Sequence, residues 1–198
     1  IHADELRRRA EEPLPPGALP AGRGPLLVGV GRLEPVKGFD LLLDALAELG
    51  PDAPRLVIVG DGSQREALER RADVSGLSDR VRFAGRRENP CPWIAAADVV
   101  VVPSRTEAWP NVVGEAFALG TPVLATRCSA SVEDFLGGGS RGALCPPNDA
   151  PALAGAIRSL LSDPERRAEI SRSASAYVPR FGPEEATAHY GSLLVEAA

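Results

Sequence analysis

Two groups of charged residues beside glycine turns have the types and spacing to serve an anionic, hydroxyl-rich ligand. The first is Gly29-Val30-Gly31-Arg32-Leu33-Glu34-Pro35-Val36-Lys37-Gly38, directly after an apolar run. Arg32 and Lys37 stand ahead of a predicted helix N-terminus, where free amides and the helix dipole already favour anions. Two cations there would strengthen binding of a diphosphate. The same residues also read as two solvated basic side chains on a surface loop. Neither standard phosphate fingerprint fits, because Glu34 stands where G-x-G-x-x-G needs its third glycine and no Walker A loop is present.

The second group is Ser104-Arg105-Thr106-Glu107-Ala108-Trp109-Pro110-Asn111-Val112-Val113-Gly114-Glu115. The apolar run before it predicts a strand, so Glu107 falls in a loop and Glu115 in the first turns of a helix. Both carboxylates can then face one crevice, with the amides of Asn111, Val112 and Val113 between them. Carboxylates accept hydrogen bonds from vicinal hydroxyls, and free amides hold phosphate. A glutamate near a helix start also serves simply as a cap or dipole partner. A glycosidase-like acid pair is a third reading, but nothing marks one member for a raised pKa.

Weaker candidates follow two other predicted strands: Gly60-Asp61-Gly62, and Gly85-Arg86-Arg87. Each would lie at a crevice mouth and would be an ordinary turn elsewhere. Trp93 and Trp109 are expected to pack rather than to act as stacking platforms. Cys91, Cys128 and Cys145 are too few and too scattered for a disulfide framework or a zinc site, and read as thiols in a reducing compartment. His2 and His189 sit near opposite ends of the chain and carry no evident chemistry.

The elements that must position these groups follow from periodicity. Apolar runs at 26–31, 55–60, 80–85, 98–104, 123–126 and 141–146 predict six buried strands. Helices are expected between them: one carrying Phe39, Leu42, Leu43, Leu46 and Leu49 on a single face, then 63–74, 90–97, 111–119, 149–161, 164–177 and 183–196. Continuously apolar strands alternating with helices require a parallel sheet covered on both faces. The expected fold is therefore α/β, a Rossmann-like doubly wound sheet, with its ligand crevice at the carboxyl ends of the strands. Residues 1–25 read as a charged tail and a Pro/Gly-rich linker, and 26–198 as the binding domain.

The chain has 198 residues, 44% hydrophobic and 25% charged, which excludes disordered and fibrous classes. A net charge of −5 argues against a nucleic-acid partner. No apolar run is long enough to span a bilayer. The chain starts at Ile1 and contains no methionine. It is therefore expected to be a piece of a longer polypeptide.

Taken in order, GRLEPVKGFDLLLDAL (31–46), LVIVGDGSQREAL (56–68), VRFAGR (81–86), ADVVVVPSRTEAWPNVVGEAFALGTPVLAT (97–126) and RGALCPPNDAPALAGAI (141–157) carry a resemblance. They resemble the C-terminal, donor-binding domain of retaining GT-B glycosyltransferases (glycosyl transferases group 1), the large family that includes sucrose synthases and bacterial mannosyltransferases. The resemblance covers about residues 24–197. It implies that Arg32 and Lys37, beside Gly31, contact and stabilise the departing diphosphate. It places Glu107 near the sugar hydroxyls and Glu115 on the ribose. Asn111, Val112 and Val113 would lie beside sugar and phosphate, and Gly85 and Arg86 near the base. Arg32, Lys37 and Glu107 would be the catalytic set.

The substrate implied is a nucleotide-diphosphate sugar of UDP or GDP type, with no metal or other cofactor. The implied partner is an N-terminal acceptor domain, absent from residues 1–25, so the domain alone should bind donor but transfer poorly. The implied location is cytoplasmic, with peripheral membrane association through the absent half. One departure concerns the sugar pocket: Ala108 stands where many members have glycine. Two other functions compete. A nicotinamide-dependent oxidoreductase is disfavoured by Glu34 and by the lack of an acidic residue ending the second strand. A non-catalytic binding module is disfavoured by the joint presence of Arg32, Lys37, Glu107 and Glu115.

Overall fold

The structure, a computed structural model, describes residues 2–181. Six strands form one sheet: β1 (Leu26–Val30), β2 (Arg55–Val59), β3 (Val81–Gly85), β4 (Val99–Val102), β5 (Val123–Thr126) and β6 (Ala143–Cys145). Their spatial order is β3-β2-β1-β4-β5-β6, and every neighbouring pair is parallel. This is the Rossmann-like doubly wound sheet, as the alternation of apolar runs and helices requires.

Alternate strand residues enter two apolar layers. Leu27, Leu56, Ile58, Val99 and Val101 face one side. There they meet the leucines of α2 (Phe39–Leu49), Leu68 of α3 (Arg65–Val74), and Leu153 and Ile157 of α7 (Ala150–Ser162). Leu42, Leu43 and Leu46 are fully buried. Each contributes about 1.5–3 kcal/mol of apolar burial. On the other side Val100, Val102 and Ala125 pack against Val113 and Phe117 of α5 (Asn111–Ala118) and Ala174 of α8 (Pro164–Tyr177). A third cluster joins Leu26, Val28, Val57 and Val59 to Trp93 of α4 (Cys91–Ala96).

Strand ends agree with the periodicity to within two residues. β4 stops at Val102 because Pro103 follows, and proline has no amide to extend a ladder. One helix was not expected, α6 (Ala130–Phe135). Six residues show too few turns for a period, and its signal is the cap: Ser129 Oγ accepts from the Val132 amide at 3.3 Å. The expected helix over 183–196 lies outside the described residues.

Residues 2–25 lie on the domain. Helix α1 (Ala3–Ala10) packs on α4 and α5, with Ala3 and Leu6 against the Phe117 layer. Residues 13–25 hold neither helix nor strand, as their proline content dictates. Leu14, Ala18 and Leu19 nevertheless cover the Trp93 cluster, and Arg55 donates to the carbonyls of Pro20 and Gly24.

Candidate functional site

The order of strands reverses between β1 and β4. The connections after these two strands therefore turn to opposite faces and leave a crevice between them. After β1 the chain passes Gly31 and Arg32, makes a short 3-10 turn over Pro35–Lys37, and enters α2 through Gly38. Gly38 has φ +66°, and a Cβ there would stand 2.0 Å from the Pro103 carbonyl oxygen. Only glycine lets the start of α2 approach the end of β4 this closely. The approach brings Lys37 to Glu107: Lys37 Nζ donates to Glu107 Oε2 at 2.5 Å, between side chains 23% and 12% exposed. Ser104 Oγ donates to the same carboxylate oxygen at 3.4 Å.

A second tie runs beside this pair. Arg105 forms a bidentate bond with Asp40, and the guanidinium holds the Asp40 carboxyl below the usual carboxylate range. The sequence alone gave neither Asp40 nor Arg105 a role in the site. Their separation of 65 positions leaves no local signal.

A crevice of about 310 Å³ opens over the pair. Gly31, Arg32, Lys37 and Glu107 line it, together with Asn111, Val112 and Glu115. A neighbouring crevice of about 470 Å³ is lined by Gly60, Asp61, Arg86 and Arg87 and shares Val30, Gly31 and Arg32 with the first. Arg32 thus stands on the ridge between the two, and Arg86 belongs to the far side. Gly85 lies below, at the end of β3, with φ +74° and its carbonyl accepting from the Gly60 amide at 2.9 Å. Val113 is fully buried in the core.

The α5 N-terminus offers less than three free amides. The Asn111 amide donates to the Trp109 carbonyl at 3.0 Å and the Val113 amide to the Pro110 carbonyl at 2.9 Å. Glu115, on α5 itself, is half-buried, and burial pushes its carboxyl above the usual range; Arg9 on α1 pulls it partly back. Arg9 is itself fixed, its guanidinium donating to the Glu88 carbonyl and its backbone carbonyl accepting from Asn89 Nδ2, each at 2.8 Å. The charged tail therefore reaches the site, which its composition did not indicate.

The turn Gly60-Asp61-Gly62 is a packing device as well as a lining. A Cβ on Gly60 would stand 1.8 Å from the Gly31 oxygen, and one on Gly62 2.6 Å from the Leu33 oxygen. Glu34 accepts from Ser63 Oγ at 2.7 Å and from the Ser63 amide at 3.2 Å, binding the β1 and β2 connections together. β2 ends at Val59, with no acidic residue at the strand end as expected; Asp61 follows two residues later and lines the larger crevice. Asp61 accepts from the Gly62 amide at 2.8 Å.

Trp93 packs as expected, at 4% exposure. Trp109 does not. It is 55% exposed at the crevice mouth, edge-on to Phe135 with ring centroids 5.1 Å apart. Proline on its C-terminal side and the short loop hold it outside the core. Cys91 and Cys145 are buried and Cys128 half-buried, all as free thiols. Burial pushes the Cys145 thiol up to about 11. Among the described residues no group of His, Cys, Asp and Glu could hold a metal ion, and no helix is long and apolar enough to cross a membrane.

Comparison with known proteins gives consistent matches. A family described as Glycosyl transferases group 1 matches residues 24–163. The lipopolysaccharide core biosynthesis glycosyltransferase LpsE of Rhizobium meliloti is 36% identical over 171 residues, covering 86% of this chain and 49% of that protein. A D-inositol 3-phosphate glycosyltransferase of Xylanimonas cellulosilytica is 38% identical over 170 residues, covering 83% and 40%. Among solved structures, Anabaena HepE in complex with UDP superimposes with a TM-score of 0.79 at 28% identity, covering 86% of this chain and 48% of that one. The same protein has been solved with UDP-glucose. The chain spans about half the length of the curated relatives it matches.

Proposed function

The chain belongs to the glycosyl transferases group 1 family, a glycosyltransferase domain with a Rossmann-like fold, and from that premise we propose that it is the donor-binding half of a retaining enzyme. The substrate is a nucleotide-diphosphate sugar of UDP or GDP type, and the acceptor site lies in an N-terminal half. The single observation that carries this reading is the Lys37–Glu107 contact. A cation and a carboxylate side by side in one crevice suit a ligand that carries both phosphate and hydroxyls. The UDP and UDP-glucose complexes of HepE support a nucleotide sugar as the ligand class.

Arg32 and Lys37 receive the diphosphate, the Glu107 carboxylate accepts from sugar hydroxyls, and Glu115 accepts from the ribose. The base lies toward Arg86, across the Arg32 ridge. In transfer, the bond from the anomeric carbon to the phosphate oxygen breaks and its electron pair stays on that oxygen. Negative charge therefore grows on the leaving diphosphate, where Lys37 and Arg32 act most strongly in the transition state. The acceptor hydroxyl oxygen forms the new bond to the anomeric carbon, and its proton passes to the departing diphosphate oxygen. Trp109, 55% exposed, stands at the mouth where the other half would close. Alone, the domain binds donor and transfers poorly; it uses no metal and works in the cytoplasm.

Calorimetric titration with UDP, GDP, ADP and NAD tests the reading. A nucleoside diphosphate is expected to bind more tightly than NAD. Tighter NAD binding would overturn the proposal in favour of an oxidoreductase domain.

A further inference from the structure

Arg105 makes four hydrogen bonds onto one short stretch of the β1–α2 connection. Its amide donates to the Val36 carbonyl at 2.8 Å, and Nη1 donates to the Pro35 carbonyl at 2.6 Å. Nη1 and Nη2 donate to the two carboxylate oxygens of Asp40 at 2.8 and 2.7 Å. The partners at 35, 36 and 40 bracket Lys37 on both sides. Arg105 itself precedes Glu107 by two residues in the same loop. One guanidinium therefore locks the segment that carries the cation to the segment that carries the carboxylate.

Lys37 and Glu107 are both long side chains, and their own contact cannot set the distance between their backbones. The planar guanidinium fork does so, because two parallel bonds to one carboxylate fix orientation as well as distance. The ion pair with Asp40 is about one-third exposed on each side. Exposed pairs of this kind add little to stability, which leaves geometry as its main effect. We infer that Arg105, held by Asp40, is a positioning residue that fixes the spacing of Lys37 and Glu107, so that diphosphate and sugar of one donor are recognised together. The inference rests on the donor-site reading above.

The test is calorimetric titration of the 198-residue chain with two pairs of probes, UDP against UDP-glucose and GDP against GDP-mannose. The quantity read is the gain in affinity that the sugar confers over the bare nucleoside diphosphate. In Arg105→Ala that gain is expected to fall about tenfold, while affinity for the bare diphosphate changes by less than about threefold. Arg105→Lys is not expected to restore it, because an ammonium lacks the fork. Asp40→Asn leaves a side chain of the same shape and carries the test if Arg105→Ala lowers the melting temperature.

An unchanged sugar gain in these variants overturns the proposal, as does an equal loss for diphosphate and nucleotide sugar. A wild-type chain that binds diphosphates with no sugar gain overturns it too. Failure of the wild type to bind any nucleotide overturns the donor-site reading and this proposal with it.

Discussion

Lys37 and Glu107 are 70 positions apart in the chain and 2.5 Å apart in space. Their contact spans the point where the sheet order reverses, and it gives the crevice a cation and a carboxylate that neutralise each other. A ligand carrying both phosphate and hydroxyls can engage both groups, whereas a bare anion meets the carboxylate as a repulsive neighbour. At a partly exposed site this repulsion is worth about 1 kcal/mol.

Glu107→Gln should therefore separate the two halves of recognition. Removing the negative charge is expected to strengthen binding of a bare nucleoside diphosphate by about two- to fivefold. The same variant is expected to lose most of the extra affinity a nucleotide sugar shows. Calorimetry with both ligands on one preparation reads the two effects side by side.

The approach of α2 to β4 depends on Gly38. A Cβ there would overlap the Pro103 carbonyl oxygen, in a backbone conformation that side chains rarely adopt. Gly38→Ala is expected to destabilise the domain by about 2–4 kcal/mol, combining strain with overpacking. Urea unfolding measures this directly. Gly138 is a control: it shares the left-handed conformation of Gly38, with φ +61° and ψ +15°, but no atom lies within 4 Å of its Cβ position. Gly138→Ala should cost about 1 kcal/mol, the strain alone.

Glu115 predicts a pH dependence. Its carboxyl is raised in the folded protein by burial, with Arg9 opposing. The folded state thus holds this proton more tightly than the unfolded chain, whose glutamate titrates near 4.5. The stability it contributes is full below that value and is lost as pH rises through the folded pKa. Glu115→Gln should flatten this part of the profile and raise stability at neutral pH, while weakening nucleoside binding. Arg9→Ala should deepen the loss, because the carboxylate then lacks its nearest compensating charge. Urea midpoints across an acid-to-neutral series distinguish the three proteins.

Trp109 offers a spectroscopic handle. It is exposed at the crevice mouth while Trp93 is buried. In Trp93→Phe the remaining emission should be red-edged and should change intensity or wavelength when a nucleotide sugar is added. Emission that does not respond at saturating ligand would show that the ligand stays clear of the mouth.

The strands were readable because a parallel sheet covered on both faces needs continuous apolar runs, and residues 26–30, 56–59 and 99–102 supply them. The long leucine face of α2 was readable for the same reason, through its period. Short α6 was not, since six residues show no period. Arg32, Lys37, Glu107 and Glu115 could be picked out because each follows a strand and so faces the crevice. Arg105–Asp40 and Arg9 were invisible, because their partners are distant in sequence and only the fold brings them together. The Gly60 and Gly62 turn drew attention as a possible ligand loop, whereas close backbone contact with Gly31 and Leu33 explains its glycines. Trp109 was expected inside because tryptophan is large and apolar, but the Pro110 corner turns it outward.

Lys37, as the proposed diphosphate-binding cation, carries the donor-site reading. The most direct measurement is titration of wild type and Lys37→Ala with the nucleoside diphosphate the wild type prefers and with the matching nucleoside. Lys37→Ala is expected to weaken the diphosphate about tenfold or more and to leave the nucleoside unchanged. Equal loss for both ligands, or no loss for the diphosphate, would contradict the assignment.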